Sequence, residues 1–302
     1  MNVNGIIAEV TNNGLLTLID QAPIVTLLWV SAVGSCIGSF MNVVIYRIPA
    51  RMSLSHPGSR CPSCGHAIRP RDNVPIIGWI LLRGRFRDCQ QAISVRYPIV
   101  EAIVMMAFAT LWVTNVMRPD DLTTAARVGS FSLQILLVCT LFCVAMIDFD
   151  GQPIRYVVWV PTALLLATAI SIWPPLRLQD ATSDSLAMTL LCTVTGFTLG
   201  YACSRFRVER QAYLIVMGLT GLYVGWFWAV PIAAGASGIW LVTRIVARLR
   251  SMTWSLCACW ALSLVLATRP QLPTGPVSTF LVVILLLVTA VYSRSVKPLQ
   301  AS

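Results

Sequence analysis

Nine long apolar runs, nearly free of charge, dominate this sequence. They fall near 23–46, 97–116, 130–148, 157–174, 185–203, 212–228, 230–247, 252–268 and 277–293. Each is close to the length that carries a helix across about 30 Å of hydrocarbon. In a bilayer core no water answers the backbone N–H and C=O groups, so such runs must be helices bonded within themselves. The eighth run is short enough to be tilted or re-entrant, and both eight and nine spans follow. Only 11% of the 302 residues are charged, against about 25% in ordinary soluble domains. A soluble protein could not cover its surface with so few, and the high apolar content excludes disorder. The expected fold class is all-α: a polytopic membrane protein with one small loop domain between its first two helices.

Charge placement gives the orientation. The net charge is +10, and 21 of the 22 basic residues are arginine. Nine arginines lie between Arg47 and Arg96, against Asp72 and Asp88 alone. Further clusters follow the fifth run (Arg205, Arg207, Arg210), the seventh (Arg244, Arg248, Arg250) and the ninth (Arg294, Lys297). Asp120, Asp121, Asp180 and Asp184 mark the opposite ends. Nine alternating spans put every basic cluster in the cytoplasm, as the positive-inside rule requires, with the N-terminus outside. The arginines thus answer to the membrane. Without an aromatic-interleaved groove, no nucleic-acid partner is expected. The first apolar run is long enough to span rather than to be removed as a signal peptide.

The segment 49–96 is the one sizeable stretch outside the bilayer. It carries Pro49, Pro57, Pro62, Pro70 and Pro75 and little apolar periodicity. About fifty such residues build little core and usually need a staple. Cys61 and Cys64, in CPSC, and Cys89 supply candidate thiolates. Most other cysteines sit inside apolar runs and read as small buried hydrophobes. No internal repeat is evident.

Two further patterns carry chemistry. In GSCIGSFMNVVIYRIP (34–49), Gly34, Gly38 and Asn42 share one helical face. That spacing permits close helix approach, with the amide seeking a hydrogen-bonded partner. Cys61 and Cys64 have the spacing with which two thiolates grip one tetrahedral ion, which normally requires a second pair. The continuation through 61–102 reads CPSCGHAIRPRDNVPIIGWILLRGRFRDCQQAISVRYPIVEA.

Together, Gly38–Pro49, Cys61–Ile68, Asp72–Cys89 and Ala92–Glu101 closely resemble the N-terminal hallmark of bacterial prepilin leader peptidases. These are bifunctional membrane aspartic proteases and N-methyltransferases of type IV pilus and type II secretion systems. The resemblance implies cleavage of a basic leader from prepilins or pseudopilins at the cytoplasmic face of the bacterial inner membrane. It also implies methylation of the new N-terminus with S-adenosylmethionine. It divides the chain into an extracytoplasmic segment 1–22, a first membrane helix 23–48, a cytoplasmic cysteine loop 49–96, a peptidase-like membrane core 97–250 and additional helices 251–302. Prepilin segments and membrane lipid are the implied partners; oligomeric state is not legible. No residues for S-adenosylmethionine can be named, since no glycine-rich strand-to-helix turn is present.

Where the family carries CRxC, this chain has Phe86, Arg87, Asp88 and Cys89. Cys61, Cys64 and Cys89 can bind zinc with water, His66 or Asp88 in the fourth place, or the loop can fold without metal. Glu101 is either a functional acid or a partner of Arg47 or Arg96.

Aspartic proteolysis needs two carboxylates close enough to share a proton, one activating water and one protonating the leaving group. The first family motif resembles AMIDFDGQPIRYVVWVP (145–161), which makes Asp148 its catalytic aspartate. Aligning Gly221–Trp226 with the end of the second motif puts Tyr213 at the other. No aspartate follows Asp184, and Glu209 is the nearest acid. The candidate catalytic residues are therefore Asp148 and Glu209. Either Glu209 completes an unusual pair, or the chain is a proteolytically inactive relative that methylates or binds pilins. A transporter is disfavoured because the spans hold no buried charge pair.

Overall fold

The computed structural model describes residues 22–117, 124–172 and 210–224, with Val194 and Thr198. They form helices α1 (Pro23–Arg47), α2 (Ile77–Leu81), α3 (Arg96–Asn115), α4 (Thr124–Phe149), α5 (Tyr156–Ile172) and α6 (Arg210–Val224). A short 3-10 turn, Pro70–Asp72, precedes α2. Extended pairing is confined, among the described residues, to two isolated bridges, Arg60 with Ala67 and Arg85 with Ala92.

The all-α reading stands, but the expectation of eight or nine membrane helices is corrected. Among the described residues three helices, α1, α3 and α4, are long and apolar enough to cross a membrane. The runs expected as spans at 157–174 and 212–228 instead become α5, with 17 residues, and α6, with 15. Over the described residues, at 1.5 Å per residue, these reach about 25 and 22 Å, short of the roughly 30 Å core. Apolarity set those expectations, and an apolar run reports composition rather than helix length. Proline has no N–H to continue a helix, and α5 contains Pro161. The runs at 230–247, 252–268 and 277–293, and that at 185–203 apart from Val194 and Thr198, lie outside the described residues.

Small residues let the first two long helices touch. A Cβ on Gly34 would stand 2.7 Å from Phe108 Cβ, and one on Gly38 would stand 2.7 Å from Glu101 Cα. Four residues on, Asn42 donates its Nδ2 hydrogen to the Tyr97 carbonyl at 3.3 Å. These pairings run down α1 and up α3, so the two helices are antiparallel. The glycine face is a packing seam, and Asn42 finds the bonded partner that its burial requires.

The next contacts continue the up-and-down course. Phe131 of α4 meets Phe108 and Trp112 of α3 edge to face, and Asn115 donates to Gln134 at 2.8 Å. Buried Thr140 and Thr162 share a hydroxyl hydrogen bond of 2.7 Å between α4 and α5. Helix α4 is central, packing against α1, α3, α5 and α6. Its segment Leu141–Ile147 is buried throughout, as are Ala212, Tyr213 and Tyr223 of α6. This packing brings the two ends that matter, the start of α3 and the finish of α4, to the same side as the cysteine loop.

Candidate functional site

Between α1 and α3 the loop is built from two turns with the same backbone. In the first, Cys61 N–H donates to His66 O, Gly65 N–H to Cys61 O and Ile68 N–H to Ser59 O, each at 2.9 Å. In the second, Phe86 N–H donates to Gln91 O, Gln90 N–H to Phe86 O and Ile93 N–H to Gly84 O, at 2.9, 2.9 and 2.7 Å. Both reverse through a residue of positive φ, Gly65 at 73° and Gln90 at 59°. The equivalence pairs Cys64 with Cys89 and Cys61 with Phe86. A repeat thus exists where none was expected. Its sequence trace is short, a Cys-x-x-Ala-Ile ending shared by 64–68 and 89–93.

The turns close on each other. The Sγ atoms of Cys61, Cys64 and Cys89 lie within 4.8 Å of one another, with Cys61 and Cys89 at 3.5 Å. Thiolates about 2.3 Å from one tetrahedral ion stand about 3.8 Å apart, so the three sulfurs fit zinc. Neither His66 nor Asp88 belongs to this group; Asp88 pairs with Arg69 across the two turns at 3.5 Å. Phe86 holds the place of a fourth thiolate. Desolvation opposes ionisation of Cys61, but the backbone N–H groups of Cys64 and Ser63 and the neighbouring thiols outweigh it, holding its pKa near 7. At Cys89 the Gln91 N–H favours the thiolate; desolvation and the sulfurs of Cys61 and Cys64 prevail and push the pKa up. Zinc binds thiolates, so a bound ion would complete the deprotonation of this group.

The same loop is braced by its acids. Arg87 grips Asp72 with two hydrogen bonds, at 2.6 and 2.9 Å, and holds that carboxyl below the usual range. Of the two roles open to Glu101, pairing with Arg47 or Arg96 is not the one it takes. Its Oε2 accepts the Ile76 N–H at 2.7 Å. Ile76 has φ +61°, and Ile77 N–H returns to Pro75 O at 2.6 Å. This is a γ-turn of the strained hand, costly for a β-branched residue. Glu101 therefore fastens a strained turn of the loop to the second turn of a membrane helix.

Asp148 lies in the last turn of α4, half-buried. The helix stops there through a Schellman motif: Gln152 N–H reaches Ile147 O at 3.0 Å and Gly151 N–H reaches Asp148 O at 2.9 Å. Gly151 supplies the φ of +67° that this ending requires. Carboxylates at a helix C-terminus are opposed by the macrodipole. Asp150 answers that with Arg96, whose guanidinium donates to both its oxygens at 2.7 and 2.5 Å. The side chains are only 5% and 4% exposed. Neither partner was expected in this role, and their separation of 54 residues leaves no local signal.

Helix α6 reaches the same region. Gln211 Nε2 donates to Ile154 O at 2.8 Å, tying its first turn to the chain that follows Asp148. Two residues on, Tyr213 is 1% exposed. Glu209 lies outside the described residues.

A family model of the bacterial peptidase A24 N-terminal domain matches residues 32–115, the stretch that holds the glycine seam, both turns and Glu101. The chain is 30% identical over 244 residues to a prepilin leader peptidase/N-methyltransferase of Pectobacterium carotovorum subsp. carotovorum, covering 72% of this chain and 82% of that protein. It is 28% identical over 277 residues to a type 4 prepilin-like proteins leader peptide-processing enzyme of Escherichia coli O78:H11, covering 82% and 95%. It is also 28% identical over 279 residues to a prepilin leader peptidase/N-methyltransferase of Stutzerimonas stutzeri, covering 84% and 88%. No solved structure matches.

Proposed function

Because this chain belongs to the prepilin leader peptidase/N-methyltransferase family, we propose that it receives prepilin or pseudopilin N-terminal segments at the cytoplasmic face of the bacterial inner membrane without cutting them by two-carboxylate chemistry. Asp148 is the first acid of that chemistry in this reading, and Tyr213 occupies the place of the second. In the usual mechanism one carboxylate takes a proton from the attacking water while the other protonates the departing amide. A phenol, ordinarily of pKa about 10, cannot serve as the ionised member at neutral pH. The observation that carries the reading is the burial of Tyr213 on α6, the helix whose first turn Gln211 ties to Ile154. A tyrosine packed in that way is a core residue.

What the chain retains lies on the N-terminal side. Cys61, Cys64 and Cys89 would hold zinc, which supplies a structural cross-link between the two turns of a loop with little core. Methyl transfer from S-adenosylmethionine needs no peptidase acid pair, and methylation, or plain binding, of a pilin N-terminus is the activity left to this protein. An assay in membranes tests the reading: leader removal followed by mass, and N-methylation followed with labelled S-adenosylmethionine. The wild type is expected to leave a prepilin uncut. Cleavage that disappears in both Asp148→Asn and Glu209→Gln would overturn the proposal and establish an Asp–Glu pair. Methylation of a pre-cut pilin separates a transferase from a binding protein.

A further inference from the structure

We propose that the Val74–Leu81 segment is a membrane-surface anchor: α2 lies in the bilayer interface, its outer residues among acyl chains, while Arg83 and Arg85 meet anionic phospholipid headgroups. The inference rests on depth, sidedness and charge.

Depth comes from Glu101. Helix α3 has 20 residues, about 30 Å at 1.5 Å per residue, which is the thickness of the hydrocarbon itself. Glu101 sits five residues, roughly 7 Å, inside its first residue. The hydrogen bond from Ile76 N–H to Glu101 therefore holds the start of α2 level with the membrane boundary. Gly38, well inside α1, lies against the same Glu101 backbone. A loop tethered there cannot stand clear of the lipid.

Sidedness comes from α2 itself. Gly78 presses on the Asp72 carbonyl, and Trp79 packs over Gly84 and donates its indole N–H to Ile93 O at 3.2 Å. Those residues face the cysteine turns. Ile77, Ile80 and Leu81 look the other way, 55%, 59% and 72% exposed, and Val74 adds to the patch. Apolar side chains grouped on the outside of an otherwise polar loop mark an interaction surface.

Charge selects the occupant. Among the described residues Asp72 and Asp88 are the acids of this loop, and Arg87 and Arg69 engage both. Arg51, Arg60, Arg71, Arg83 and Arg85 make no ion pair there. Apolar residues beside unpaired arginines fit the acyl–headgroup boundary of an anionic bilayer.

The test uses the full chain in lipid nanodiscs, with Leu81→p-benzoylphenylalanine as a photocrosslinker and Ser55→p-benzoylphenylalanine as the control. Leu81 is mostly exposed, so the replacement removes no core packing. In phosphatidylglycerol-containing discs, position 81 is expected to yield lipid adducts by mass and position 55 none. The yield at 81 should fall several-fold in pure phosphatidylcholine discs and in Arg83→Gln/Arg85→Gln. Adducts to peptides of this chain or of a second copy, or no adduct, would overturn the anchor. Equal yields in the two disc types would overturn the headgroup contact. The outcome is independent of peptidase or transferase activity, so it stands or falls apart from the proposed function.

Discussion

Replacing Arg96 with methionine would leave the Asp150 carboxylate buried at the end of α4 with its two strongest donors gone. The pair is nearly closed to solvent, bidentate, and spans two helices. Breaking such a buried pair from one side costs about 3–5 kcal/mol, and the α4 dipole opposes the stranded charge by about 0.3–1 kcal/mol more. Arg96→Met should therefore lower stability by roughly 3–6 kcal/mol in denaturant titrations of detergent-solubilised protein. Arg96→Lys keeps the charge but loses the fork and should fall between it and the wild type. Removing both charges, in Arg96→Met/Asp150→Asn, should recover much of the loss, because no carboxylate is then left unpaired. The coupling in this double-mutant cycle is expected to exceed about 1 kcal/mol. Additive effects, or a loss below about 0.5 kcal/mol for Arg96→Met, would refute the reasoning.

Three other perturbations address separate parts of the structure. Gly38→Leu drives a side chain into the Glu101 backbone and should destabilise by about 1–3 kcal/mol, read as earlier thermal unfolding in detergent. Glu101→Leu strips the Ile76 N–H of its acceptor, at a cost of about 1–3 kcal/mol; hydrogen exchange should quicken over residues 74–81, while Glu101→Gln, which keeps an acceptor, changes it much less. Phe86→Cys adds a thiolate at the position equivalent to Cys61, so zinc should bind more tightly and X-ray absorption should count four sulfurs in place of three. An unchanged sulfur count would mean that the two turns do not present positions 61 and 86 to the same ion.

The parts legible in the sequence were those with local periodicity. Gly34, Gly38 and Asn42 announced a packing face because helix geometry alone brings residues four apart together, and the Cys61–Cys64 spacing announced a tight turn carrying two thiols. The number of long membrane helices was not legible, since an apolar run gives composition but not helix length. The second turn escaped notice because Phe86 breaks the cysteine match while the backbone, reversing at Gln90, does not change. The Arg96–Asp150 pair and the Glu101–Ile76 bond depend on how helices stack, and no spacing rule connects residues 54 or 25 apart.

The central claim is that the peptidase site has one aspartate. It is tested most directly by leader cleavage with purified protein in lipid, comparing the wild type, Tyr213→Asp and Tyr213→Asp/Asp148→Asn against a matched prepilin. The account predicts no cleavage by the wild type, cleavage gained in Tyr213→Asp, and its loss again when Asp148 is also replaced. Cleavage by the wild type that vanishes in Asp148→Asn alone would contradict it.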